Sequence, residues 1–128
     1  MRLLLDTHVA VWAVTGSPNL SASAATMIAD AESDVAFGTV TLLEIAIKNA
    51  TGRSNLGITS AQAAEEFDAA RFSQLQIALR HLVELERTPR LHGDPFDRLL
   101  VATAKAEGLR LLTHDRALAA YGDHVLLV

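Results

Sequence analysis

Short apolar stretches alternate along this chain with segments of helical periodicity, and that alternation restricts the fold more than any other feature. Arg2 to Leu5 (RLLL) reads as a strand that stops abruptly at Asp6. Val35 to Gly38 reads as a second strand, Leu75 to Ile77 as a weak third, Arg110 to Thr113 as a fourth and Val125 to Val128 as a last. Helical spacing predicts Thr7 to Val14, where Val9, Trp12 and Ala13 share a face, and a helix from the N-cap Ser21 to about Ala31. Thr41 opens the helix LLEIAIKNA, which stops near Gly52, and Ser60 caps another to about Arg71. Ala78 to Arg87, Pro95 to Glu107 with Gly108 just past its end, and a short Arg116 to Tyr121 complete the helices. Strands that are few, short, apolar and separated by helices predict an α/β fold, a parallel sheet covered by helices on both faces. Ligands of such sheets bind outside the carboxyl ends of the strands, near the switch in strand order.

The acidic residues fall at that place. Asp6 follows the first strand and Asp115 follows the fourth. Glu44 sits in the first turn of the helix after the second strand, and Asp97 in the first turn of the helix before the fourth. Four carboxylates from four separate parts of the chain can therefore meet at one rim. Each also has an ordinary structural reading. Asp6 and Asp115 could be N-caps, Glu44 could complete a capping box with Thr41, and Asp94 ahead of Pro95 is a well-matched helix start. Asp97 is harder to explain in this way, because it stands beside the buried face LLVATA.

Carboxylates gathered without partners repel one another and are costly to desolvate. A divalent cation resolves that conflict, and an all-oxygen donor set selects hard ions, Mg²⁺ or Mn²⁺. The chemistry such a site supports is phosphodiester hydrolysis by a metal-activated water.

Composition narrows the context. At 128 residues the chain suits a single domain spanning 1–128, and with 50% hydrophobic residues it can build a core. No apolar run approaches the ~20 residues of a membrane span. Asp6 and His8 interrupt the apolar start MRLLLDTHVAVWAV, which is expected to be part of the fold rather than a signal peptide, in a cytoplasmic protein. There is no cysteine, so disulfides, thiolate metal sites and cysteine nucleophiles are excluded. A net charge of −4 argues mildly against a nucleic-acid binder, with metal-dependent nucleases the exception, since bound cations reverse the local field.

Four stretches, LLLDTHVAVWAV, TLLEIAIKNATGR, HGDPFDRLLVATA and LLTHD, together resemble a PIN-domain ribonuclease, more narrowly the VapC-type toxins of bacterial toxin–antitoxin pairs. The resemblance covers nearly the whole chain. It implies a five-stranded parallel sheet and an acidic quartet at Asp6, Glu44, Asp97 and Asp115 holding Mg²⁺ or Mn²⁺ for RNA hydrolysis. It further implies a homodimer and a cognate antitoxin whose C-terminal segment wraps the toxin and inserts a basic side chain into the acidic site. Asp94 matches a peripheral acidic position of the family, and Thr7 and Thr113 flank the quartet, where their hydroxyls could orient a carboxylate or a water. Leu43 stands where many relatives carry an aromatic nearby.

The histidines show no metal-ligand spacing. His8 is expected at a surface helix start, His92 to stabilise the loop before Asp94, and His114 to face away from Thr113 and Asp115. Lys48, Arg53, Arg90, Arg98 and Arg116 are candidate phosphate contacts. Of these Arg98 and Arg116 are preferred because they adjoin quartet positions, and Lys48 is retained with them as an RNA-binding residue. Trp12 and Phe96 read as core or dimer contacts. The competing functional reading is a catalytically inactive PIN-like domain that only binds a protein partner. A dehalogenase-type phosphatase would need DxD where this chain has DTH, and a receiver domain would need an acidic pair near its start and a late lysine, both missing.

Overall fold

The computed structural model describes residues 1–128. Its elements run β1 (Arg2–Leu5), α1 (Thr7–Thr15), α2 (Ala22–Ala29), β2 (Asp34–Gly38), α3 (Thr39–Ala50), α4 (Ser60–Ala69), β3 (Ser73–Leu75), α5 (Leu79–Arg87), α6 (Pro95–Glu107), β4 (Arg110–Thr113), a short 3₁₀ helix (Arg116–Tyr121) and β5 (Val125–Leu127). The five strands form one sheet in the order β3-β2-β1-β4-β5, every pair parallel. From β1 the chain winds first to β2 and β3, then returns to lay β4 and β5 on the other side. The strand order thus reverses beside β1, and a crevice opens at the carboxyl ends of β1 and β4.

Side chains alternate across the sheet and build a core on each face. Leu3, Leu5, Val35, Phe37 and Leu112 pack with Val9, Val11, Ala63 and Phe67 of α1 and α4. Leu4, Ala36, Leu111 and Val125 pack with Leu100, Val101 and Ala104 of α6 and Leu118 of the 3₁₀ helix. Helix α3 serves both layers, with Ile45 in the first core and Val40 in the second. Each such fully buried aliphatic side chain stabilises the fold by ~1.5–3 kcal/mol.

Helix α6 is held at every point that matters for Asp97. Asp94 caps its start with Pro95 in the first turn, and Gly108 ends it at φ 68, a left-handed conformation natural to glycine. A Cβ on Gly38 would stand 3.3 Å from a methyl of Leu100, so glycine at the end of β2 lets α6 pack close. Buried His81 of α5 accepts the Ala78 N–H at Nδ1 and meets Glu107 Oε1 at 2.6 Å through Nε2, tying α5 to the end of α6.

Several boundaries differ from those expected. Helix α3 begins at Thr39 with Gly38 as its N-cap, so Thr41 lies inside the helix and no Thr41–Glu44 capping box exists. Glu44 consequently sits in the second turn. Helix α4 is capped by Thr59 rather than Ser60, in a capping box with Gln62. Strand β3 pairs through Ser73–Leu75, earlier than the apolar Leu75 to Ile77, because its register is set by the backbone of β2 and not by its own side chains. Helix α2 ends at Ala29 rather than about Ala31.

Candidate metal centre

Asp6 extends β1 directly into α1 and caps that helix, its Oδ1 accepting the Val9 N–H at 2.8 Å. Its Oδ2 accepts the Thr113 hydroxyl at 2.5 Å. Burial pushes the Asp6 carboxyl above the usual range, opposed by the Thr113 and Val9 hydrogen bonds. Thr113 Oγ1 also accepts the Asp115 N–H at 3.0 Å. One hydroxyl at the end of β4 therefore locks the acids of two strand ends together.

Asp115 caps the 3₁₀ helix through Oδ1, which accepts the Ala117 N–H at 3.0 Å. Its Oδ2 lies 3.0 Å from His92 Nε2. His92 Nδ1 accepts the Asp94 N–H at 3.0 Å, so in the neutral ring the proton sits on Nε2 and is donated to Asp115. Donor atoms of His92, Asp97 and Asp115 all lie within 4.8 Å of one another.

Asp97 is different. Its carboxylate receives no hydrogen bond, and its one ion-pair contact, to His92 Nε2, is long at 3.9 Å. Burial, reinforced by the charges of Asp94, Glu44 and Asp6, pushes its pKa up to about 7. Asp94 stays in its capping role, its Oδ1 accepting from Phe96 N at 2.8 Å and Asp97 N at 3.4 Å.

Glu44 is fully enclosed and doubly bonded. Oε1 accepts the Thr7 hydroxyl at 2.7 Å and Oε2 pairs with Lys48 Nζ at 2.5 Å. Because Thr7 gives its one proton to Glu44, the 3.1 Å contact between Thr7 and Thr41 is donated by Thr41. Burial works to lower the Lys48 pKa, but the hydrogen bond and charge of Glu44, with Asp94 and Asp97 adding, raise it.

Asp6, His8, Asp97, His114, Asp115 and Arg116 line an open cleft of about 400 Å³ with no hydrophobic residue in its wall. Three quartet carboxylates thus share a cleft, while Glu44 does not line it. The donor set suits a hard divalent cation: carboxylate oxygens predominate, His92, the histidine grouped with Asp97 and Asp115, carries its proton toward Asp115, and Asp97 lacks any neutralising partner.

Four sequence-based assignments change. Arg98 does not reach the cleft. Its Nη2 donates to the Thr88 carbonyl at 3.1 Å and its Nε is buried without a partner, because one residue along α6 turns it from Asp97 toward the α5–α6 loop. Lys48 is engaged by Glu44, one helical turn away, rather than free for phosphate. His8 is half-buried in the cleft wall rather than at the surface, and its burial lowers its pKa despite the opposing charge of Asp6. His114 lines the same wall, since β4 ends at Thr113 and strand alternation no longer dictates where its ring points. Arg116 does line the cleft, and Phe96 packs against the second core. The bond from His92 to Asp115 had no signal in spacing, because loop closure between α5 and α6 creates it.

Residues 3–123 match the family profile of the PIN domain. The chain is 31% identical over 130 residues to Ribonuclease VapC22 of Mycobacterium tuberculosis, a match covering 93% of this chain and 91% of that protein. Its fold is similar to chains in two solved structures at 15% identity. One is VapBC2 from Rickettsia felis bound to a DNA fragment from their promoter (TM-score 0.69, 100% of this chain and 98% of that chain). The other is a toxin–antitoxin complex from Klebsiella pneumoniae (TM-score 0.64, 97% and 95%).

Proposed function

The chain belongs to the PIN domain family, and from that premise we propose that it is a metal-dependent endoribonuclease acting as the toxin of a toxin–antitoxin pair. The observation that carries the reading is the cleft: Asp6, Asp97 and Asp115 converge at the switch point of a parallel sheet, with Asp97 held unpartnered and its pKa raised to about 7. Asp6, Asp97 and Asp115 would hold the cation, Mg²⁺ with Mn²⁺ as substitute. When bound, such a cation supplies an activated water and stabilises charge on the leaving oxygen.

The protein's own residues organise the rest. Thr113 fixes Asp6 and the backbone of Asp115, and His92 fixes the Asp115 side chain. Thr7 and Lys48 hold Glu44, so Glu44 contributes negative field behind the cleft in this arrangement and meets a cation only if Lys48 lets go. Arg116, exposed at the cleft, is positioned to contact a substrate phosphate.

The reading treats residues 1–128 as one PIN unit working in the cytoplasm. No helix is long and apolar enough to cross a membrane. A homodimer and a cognate antitoxin complete the reading. Exposed Leu43 and Ile47 on α3 and Leu79, Leu82 and Val83 on α5 are apolar surface of the kind protein partners cover.

Sequencing of RNA ends after induced expression tests the function. New ends are expected with the native chain and not with Asp6→Asn. The same ends from the variant would contradict the assignment, and no new ends from either would favour the binding-only reading.

A further inference from the structure

His8 and Trp12 lie one turn apart on α1, and His114 follows β4. Their rings form a closed trio, with centroids 5.5 Å apart for His8–Trp12, 5.3 Å for His8–His114 and 4.6 Å for Trp12–His114. The core-facing side of α1 is already supplied by Val9, Ala10 and Val11, which leaves residues 8 and 12 together on another face. None of the three side chains makes a hydrogen bond within the protein, His114 is exposed, and His8 and His114 are also walls of the acidic cleft. The trio is neither core nor part of the carboxylate network.

We propose that His8, Trp12 and His114 form a nucleobase-stacking wall beside the acidic cleft, which takes an unpaired base of single-stranded RNA next to the bond to be cut. This inference rests on the reading that RNA is the substrate. Trp12 meets both histidines edge-to-face, and rings packed in this way restrain one another, so little freedom is lost when a base stacks on them. Free ring nitrogens remain to meet base edges. A duplex keeps its bases stacked internally and cannot offer one to such a wall, so single strands are preferred. The wall places aromatic contact on one side of the cleft while Arg116 supplies positive charge within it, the two elements single-strand binding requires.

Trp12 is the single tryptophan, so its fluorescence reports on the wall directly. The native protein is titrated in EDTA, where no cleavage is expected, with oligoadenylate, with an abasic ribose-phosphate chain of equal length, and with adenosine, a neutral probe the acids do not repel. Oligoadenylate and adenosine are expected to quench Trp12, and the abasic chain to bind about tenfold more weakly or worse. His114→Ala is expected to weaken oligoadenylate binding about tenfold, and His114→Phe to retain it, because a ring face rather than a proton is needed. The proposal is overturned if neither adenosine nor oligoadenylate quenches Trp12, if the abasic chain binds equally well, or if His114→Ala binds like the native chain. A protein that cleaves RNA yet fails these tests keeps its function without the wall. One that passes them but never cleaves keeps the wall without the function.

Discussion

Asp97 carries a carboxylate that no donor in the protein neutralises, and burial together with Asp94, Glu44 and Asp6 raises its pKa from 3.8 to about 7. An acid whose folded pKa exceeds its unfolded value binds protons on folding, so stability is lost as pH rises from about 4 to 7. Asp97→Asn is therefore expected to stabilise the metal-free protein at pH 8 by ~1–2 kcal/mol, discounted from the full shift because the group is partly exposed. The gain should shrink as pH falls toward 4. Thermal melts in EDTA across that range check it, and a variant no more stable than the native chain at pH 8 would contradict the strained carboxylate. His92 acts on the same centre from outside. Its Nε2 proton fixes Asp115 Oδ2, so His92→Ala is expected to weaken Mn²⁺ binding ~10–100-fold, read by electron paramagnetic resonance of the free ion. Unchanged affinity would limit His92 to holding the loop.

At the scale of elements, legibility followed the locality of the signal. Helix α6 was readable at both ends, because Asp94–Pro95 and Gly108 act within one turn of where they stand. The bounds of β1 and β4 were equally plain, since each is an apolar run stopped by a polar residue. The start of helix α3 is masked in the sequence. Gly38 caps it without a side chain, while Thr41 imitates a cap from inside the helix. The apparent cap at Thr41 conceals the network in which Thr41, Thr7 and Lys48 enclose Glu44, although the four-residue spacing of Glu44 and Lys48 is visible. The approach of Asp6, Asp97 and Asp115 to one cleft follows from their places at two strand ends and a helix start, whereas Glu44, expected with them, does not line it, and the state of each acid is not written in the sequence. Whether a carboxylate is capping, paired or bare depends on partners from distant segments, as Thr113 on Asp6 and His92 on Asp115 show. The aromatic trio is invisible in the sequence for the same reason, since His114 meets His8 and Trp12 of α1 only once the sheet has formed.

Across the whole molecule, one topological fact organises the site. The order of strand addition reverses at β1, and the parallel strands β1 and β4 end side by side, so Asp6 and the Thr113–Asp115 turn share an edge that α6 approaches with Asp97. The two cores fix these elements, and the acids take their geometry from that rigidity rather than from one another. The net charge of −4 disfavours polyanions over the molecule as a whole, and a cation held by the cleft carboxylates would reverse that field locally. The most direct measurement is cleavage of RNA by purified protein with Mg²⁺ or Mn²⁺, with EDTA, and after Asp97→Asn. The account predicts activity with either ion, none in EDTA, and a loss on the order of hundredfold or more in the variant. Cleavage that persists without metal, or full activity after Asp97→Asn, would contradict it.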